Sequence, residues 1–292
     1  MPTLSFLAAV AASLSAASVA VRFNTTPRDI VVDRVSTATV KNRNRADVLR
    51  RMFTDAGCPA QDLELQRVER VAEPNVVCTI RGETTSEIIV GAHTDHAEKG
   101  LGVIDDWSGA ALLPSLAESI KTIPRHHTYV FAGFTAEEAG LLGSHSYVGH
   151  LGSEGLRRTA AMIDLDSIGA GPPEVQTITA DPMLLQDLLR AASSVGMHVR
   201  LVNFNEVGTS DFDAFRSRGV PTLIVHSLTP ENWRLLHTRK DNLSALSVED
   251  YYNTYRLMAL YITLLDDVLD TSEHARYDPR AVPPTLRGKG SR

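Results

Sequence analysis

Imidazoles and carboxylates recur in this sequence just past the ends of its apolar runs. Ile88-Ile89-Val90 stops at Gly91 and is followed by His93, Asp95 and His96. The run 128–134 is followed by Glu137-Glu138, and 159–165 by Asp166. The last such run, 221–226, leads into a loop carrying His237 and Asp241. Asp105-Asp106 stand just ahead of an Ala/Leu-rich segment that starts at Ser108. Taken singly these residues are ordinary. His93 reads as a loop histidine, Glu137-Glu138 as acids favoured at a helix start, and Asp105-Asp106 as helix caps. Together they are not, because a carboxylate left buried and unpaired is expensive. Zinc accepts imidazole nitrogen and carboxylate oxygen in one site, and two ions about 3.5–4 Å apart form a recognised hydrolytic arrangement. The set supplies enough ligands for two ions, with positions left for water.

The elements needed to position these residues follow from periodicity. Segments 87–92, 128–134, 159–165 and 221–226 are apolar runs of strand length, as expected of strands covered on both faces. Residues 63–70 alternate as a half-exposed strand, and 75–81 and 199–204 are further strands. Helices are expected over 44–56, 108–120, from 141 to 150, 182–195, 210–216 and 248–269, the first closed by Gly57. Residues 28–39 are ambiguous. Strands alternating with helices of these lengths give an α/β fold with three layers, helices covering both faces of a central sheet. Ligands in open α/β sheets bind just outside the carboxyl ends of the strands, where these polar residues fall.

The chain has 292 residues, 43% hydrophobic and 22% charged, and a formal charge of -6. That is enough to bury a sizeable core, and with no basic stripe it excludes nucleic acid as the expected partner. Candidate ligands spread from 93 to 237 without a linker, so residues 22–270 are expected to form one domain, followed by a loose tail over 271–292. Residues 1–20 are apolar and Ala-rich with a Ser18-Val19-Ala20 end, as in a signal peptide. Secretion or export to a periplasm is then expected, and cytoplasmic residence if the segment is instead a first helix. No stable membrane anchor is expected, because the run is too short and diluted. Cys58 and Cys78 fit either one disulfide or two buried thiols.

The motifs GAHTD (91–95), IDDWSGAALL (104–113), FAGFTAEEAGLLGSHSY (131–147), DLDSIG (164–169), TSDFDAF (209–215) and LLHTRKDN (235–242) resemble, in order, those of family twenty-eight of the metallopeptidases. This family includes bacterial leucyl and Streptomyces-type zinc aminopeptidases. The resemblance spans residues 75–270 and implies the zinc exopeptidase fold, with a mixed, mostly parallel sheet. It implies two Zn2+ ions, one bound by His93 and Asp166, the other by Glu138 and His237, with Asp105 bridging. Glu137 would be the general base, Asp95 would orient His93, and Asp241 would support the loop carrying His237. Strand alternation puts Asp164 and Asp166 on the same face, and only the family pattern selects Asp166. Ser210-Asp211 match a segment lining the site. Trp107 departs from the Asn or small residue usual there, and is expected to reshape the pocket rim. The implied activity is removal of the N-terminal residue from a peptide with a free amino group, by a monomer. Related carboxypeptidases and glutaminyl-peptide cyclotransferases, the latter using one zinc, are the alternatives.

Overall fold

A computed structural model describes residues 24–203 and 208–270 of the chain. The expected signal segment (1–20), the tail (271–292) and Phe204 of the expected 199–204 strand lie outside them.

Eight strands form one mixed sheet: β1 (Leu63–Gln66), β2 (Asn75–Ile80), β3 (Glu87–His93), β4 (Thr128–Phe134), β5 (Thr159–Leu165), β6 (Glu174–Gln176), β7 (Arg200–Val202) and β8 (Thr222–His226). Their spatial order is β1-β2-β4-β3-β5-β8-β6-β7. The centre, β4-β3-β5-β8, is wholly parallel. β1 and β2 extend it antiparallel on one side, and β6 joins β8 antiparallel on the other. β3 shows why the centre tolerates no polar alternation: six of its seven residues are buried, as a strand sandwiched between helical layers requires.

Helices α1 (Arg28–Val35), α2 (Asn42–Asp55), α3 (Ser108–Ile120), α5 (Pro182–Ser194) and α7 (Val248–Val268) share a core with one face of the sheet. Helices α4 (Leu142–Arg158) and α6 (Phe212–Arg216) pack with the opposite face, around Ile89, Phe134, Met162 and Ile224. Local chemistry starts several of these helices. The Asp181 carboxylate accepts from the backbone N–H groups of Met183 and Leu184, with Pro182 at the first helical position of α5. The Ser247 hydroxyl accepts from Asp250 N–H at the start of α7. Along α7 the tyrosines bury their rings and still satisfy their hydroxyls. Tyr251 donates to Ser108 O and Tyr261 to Leu184 O, tying α7 to α3 and α5.

Most expected elements are present, with altered limits. The strand over 63–70 ends at Gln66, and the helix from 141 runs to Arg158 through a break at Gly152. Helix α1 occupies the stretch that periodicity left ambiguous, and β6 was not anticipated. Three residues after Pro172-Pro173 are too few to show a period. Cys58 and Cys78 form a disulfide, Cα to Cα 6.2 Å, so of the two alternatives the bonded one holds. It ties the end of α2 to β2.

Candidate metal centre

The parallel register brings the predicted residues to one edge of the sheet. His93 ends β3 level with Phe134 of β4, and Glu137-Glu138 follow three residues later. Gly91 pairs with Asp164 of β5, so Asp166 comes level with His93. The turn before α3 carries Asp105 inward, and the loop after β8 brings His237 over the top. Two triads result: His93, Asp105 and Asp166, and Asp105, Glu138 and His237, the donor atoms of each lying within 4.8 Å of one another. Asp105 belongs to both. Its Oδ1 lies 3.1 Å from His93 Nε2 and its Oδ2 3.0 Å from His237 Nε2. His237 Nε2 is also 3.1 Å from Glu138 Oε2. Glu137 enters neither triad, yet its Oε2 is 4.0 Å from His93 Nε2.

The supports of these side chains are mostly backbone groups held by buried carboxylates. Asp95 lies 3.7 Å from His93 Nδ1, and its two oxygens accept from the N–H groups of Glu137 (3.0 Å) and Glu138 (3.2 Å). One carboxylate thus faces a ligand imidazole and fixes the turn carrying both glutamates. The Asp106 carboxylate accepts from the N–H groups of His93, Gly109 and Ser167. It caps α3 and joins the ends of β3 and β5, which is the capping alternative, realised for this one residue of the pair. Gly109 is required at that junction, because a Cβ there would lie 2.0 Å from Leu165 O. Asp164 sits beneath the site, accepting from the Ser210 hydroxyl (2.8 Å) and Phe212 N–H (3.0 Å). It holds the start of α6 and belongs to neither triad. Ser210 and Asp211 are buried there, and the pocket wall itself is made by Gly208 and Thr209.

One expectation requires correction and another is extended. Trp107 is fully buried and absent from the pocket lining. Its ring lies against the Arg45 guanidinium, 5.3 Å from ring centroid to the guanidinium carbon, and so shapes the floor behind the metal loops and not the rim. Asp241 uses its carboxylate on the other loop: Ile104 N–H donates to Oδ1 (2.7 Å) and Asp105 N–H to Oδ2 (3.2 Å). It thus also holds Asp105, the residue shared by the triads, and its own N–H donates to Thr238 O in the His237 loop that it was expected to support.

Sequence reasoning missed Arg45, which comes from α2, far from any motif. Its guanidinium is buried and donates to the carbonyls of Thr39, Thr94, Leu101 and Gly102. It thereby clamps the loops after β3 and before α3. Burial lowers its pKa to about 10, with Asp95, Asp241, Asp106 and Asp105 opposing that shift. Arg45→Met leaves those carbonyls without a donor and the acids without a counter-charge. We expect it to lower stability by about 3–5 kcal/mol, read as a lower urea midpoint; a loss under about 1 kcal/mol contradicts this role. Asn75 was also missed. Its amide bridges Thr135 N–H and Gly143 O around the glutamate turn, and a buried Asn opening a strand was the available signal.

Three residues beside the ligands adopt left-handed backbone without being glycine: Ala136 (φ 55), Ser167 (φ 60) and His237 (φ 56). Such conformations cost on the order of 1–3 kcal/mol each and persist where surrounding structure imposes them. Here they adjoin Glu137 and Asp166 and include His237 itself.

The electrostatics fit a cationic occupant. Burial raises the Glu137 carboxyl to about 9, reinforced by Asp166, Asp211 and Asp105 against the opposing His93 charge. Burial also raises Glu138 and Asp166, each further raised by Asp105. Burial pushes Asp105 up, but His237 and His93 outweigh it and hold Asp105 below the usual carboxylate range. The site gathers more negative charge than it can keep ionised alone, in a donor set of imidazole nitrogen and carboxylate oxygen suited to zinc. The two triads therefore fit two zinc ions sharing Asp105.

Hydrogen bonding to Asp105 raises His237 to about 9 without metal. A raised histidine pKa contributes stability present below its unfolded value near 6.5 and lost as pH rises through about 9. The same proton opposes a metal, which needs the neutral nitrogen. Zinc affinity is therefore expected to climb from pH 6.5 to 9, by about tenfold per pH unit for each proton displaced. Calorimetric titration across that range checks it, and a flat profile contradicts it.

The triads open into a cleft of about 440 Å³. Asp105, Glu137, Glu138, Asp166 and His237 line it, together with the apolar Leu141, Leu228, Trp233 and Leu236.

Comparison with known proteins agrees with this geometry. Aminopeptidase YwaD of Bacillus subtilis is 29% identical over 171 residues, covering 56% of this chain and 37% of that protein. The structure of an aminopeptidase from Aneurinibacillus sp. strain AM-1 matches at 30% identity and a TM-score of 0.57, over 65% of this chain and 47% of that one. The chain thus spans half or less of the length of these aminopeptidases. Glutaminyl cyclase from Fimbriiglobus ruber shares the fold, with a TM-score of 0.68 at 18% identity over 83% of this chain and 97% of that one. Residues 75–262 match Peptidase family M28, and with its two triads joined at Asp105 the chain belongs to that family.

Proposed function

We propose that this chain is a di-zinc aminopeptidase that releases the N-terminal residue of a peptide. The observation that carries this reading is Asp105, whose two oxygens face the imidazoles of two separate triads while Glu137 stays outside both. When bound, two zinc ions supply a polarised carbonyl and a water acidic enough to ionise near neutral pH. Glu137, at the cleft wall, accepts that water's proton and passes it to the departing amine. Asp95 keeps His93 and the glutamate turn in register for this transfer. The acidic lining of the cleft suits the substrate's free α-ammonium group, and its apolar members Leu141, Leu228, Trp233 and Leu236 suit an apolar first side chain.

We read residues 22–270 as one catalytic domain, since every ligand hangs from one sheet. The Cys58–Cys78 disulfide supports export through residues 1–20, because disulfides persist in oxidising compartments. Among the described residues no helix is long and apolar enough to cross a membrane.

Matched dipeptides, one with a free amino terminus and one N-acetylated, test the reading on zinc-loaded protein. Cleavage of the free form alone is expected, and faster with Leu than with Asp as first residue. Cleavage of the acetylated form alone assigns a carboxypeptidase or acylamino-acid hydrolase instead. Cleavage of neither, with cyclisation of an N-terminal Gln peptide, assigns a cyclotransferase.

A further inference from the structure

The loop that brings His237 to the metal centre is basic, in a chain whose formal charge is -6. Arg234, Arg239 and Lys240 follow one another closely in it, and all three are exposed. Their places are set by the loop's own contacts. Trp233–Leu235 is a single 3₁₀ turn, and Trp233, Leu236 and His237 line the cleft. The Arg234 guanidinium lies over the Trp233 ring, 5.5 Å from its centroid. A cation is thereby held against a side chain of the cleft wall. Arg239 and Lys240 are the middle residues of the turn closed by Asp241 N–H donating to Thr238 O (3.0 Å). Leu101 N–H donates to Asp241 O (2.8 Å) and pins that turn directly after His237.

No acid neutralises these cations. Among the described residues none of the three has an ion-pair partner. Of the acids in the same loop, Asp241 is buried, with its carboxylate on the N–H groups of Ile104 and Asp105. Glu231 is engaged by Thr229 and Arg200. The cleft therefore meets charge of both signs: carboxylates line it, and an unneutralised basic loop borders it. The first suits the α-ammonium group of a peptide, and the second suits a carboxylate further along. The planar fork of an arginine matches a carboxylate in geometry as well as charge. Extended chain advances about 3.3–3.6 Å per residue, so peptide leaving along Trp233 meets the guanidinium within about two residues.

We propose that Arg234, supported by Arg239 and Lys240, is a specificity determinant that binds a carboxylate on the departing part of a short peptide. That carboxylate is the chain terminus or an acidic side chain. This role rests on the aminopeptidase reading, from which the direction of the peptide through the cleft is taken.

Kinetics on zinc-loaded protein test it with Leu-Ala-Ala, Leu-Ala-Ala amide and Leu-Ala-Glu amide, reading released leucine. The two peptides bearing a carboxylate are expected to show a KM about 2–5-fold below that of the neutral amide, the range of an exposed ion pair. Their kcat should equal that of the neutral amide. The advantage should vanish at about 1 M salt, where the screening length is about 3 Å. It should vanish too when Arg234→Gln, Arg239→Gln and Lys240→Gln are combined, all three being exposed positions. An advantage confined to Leu-Ala-Ala assigns the chain terminus as the ligand, and one confined to Leu-Ala-Glu amide assigns an acidic side chain. Equal KM values in wild type, or an advantage that survives in the triple variant, overturn the proposal. Leucine released from the neutral amide upholds the aminopeptidase reading in either case. Calorimetric binding of the same peptides to zinc-loaded Glu137→Gln gives the same ratios without turnover, so the proposal is decided even where no leucine is released.

Discussion

Glu137→Gln is expected to keep both zinc ions and lose kcat on the order of 10²–10⁴-fold, the range that general acid–base catalysis supplies. The amide preserves size and can still hydrogen-bond, but it cannot take a proton. Metal retention follows because Glu137 belongs to neither triad. In the metal-free protein burial and neighbouring acids hold its proton up to about 9, so the empty site keeps it protonated. Bound cations invert this local balance, freeing the carboxylate to act as a base in the loaded protein alone. Steady-state kinetics with zinc quantified in the same sample separates the two effects. Near-normal turnover with metal bound refutes Glu137 as the base, whereas loss of metal moves it into the ligand set.

Asp105→Asn has the second large effect, and a different signature. Asp105 alone faces both imidazoles, Oδ1 to His93 and Oδ2 to His237. Asn offers one carbonyl oxygen and removes the charge that offsets two divalent ions. Changes to outer partners of metal ligands already weaken binding 10–100-fold, so removing this shared ligand should weaken each site by more than about 100-fold. Zinc content and activity are expected to fall together, with both ions lost. Asp166→Asn should instead lower affinity at the His93 site and leave the Glu138–His237 pair able to bind. A variant of Asp105 retaining one tight ion would show that the carboxylate serves a single site.

Much of the centre was legible in the sequence because one physical rule placed it. Polar residues at or just beyond the ends of buried strands project from one edge of the sheet, and that rule pointed to His93, Glu137 and Glu138 and to the Asp164–Asp166 pair, of which the motif resemblance selected Asp166. Asp105 and His237 were less local, lying in a turn and a loop, and it was the motif resemblance that assigned them. The supports were harder to read. Arg45 acts through backbone carbonyls some fifty residues away along the chain, and nothing in a sequence marks which carbonyls lack a donor. Trp107 next to two site aspartates invited a place on the pocket rim, yet it turns inward and lies against Arg45. Asp106 and Asp105 are adjacent and chemically identical, and only the fold separates a helix cap from a carboxylate shared by two triads. Short strands such as β6, three residues long, carry no period to detect.

The central claim is that one carboxylate joins two metal positions, and anomalous diffraction from crystals of the stoichiometrically zinc-loaded protein tests it most directly. The account predicts two zinc peaks in the cleft, one against His93 and Asp166 and one against Glu138 and His237. Asp105 should contact both peaks, and Glu137 neither. A single peak, or two peaks with Asp105 touching only one, contradicts it.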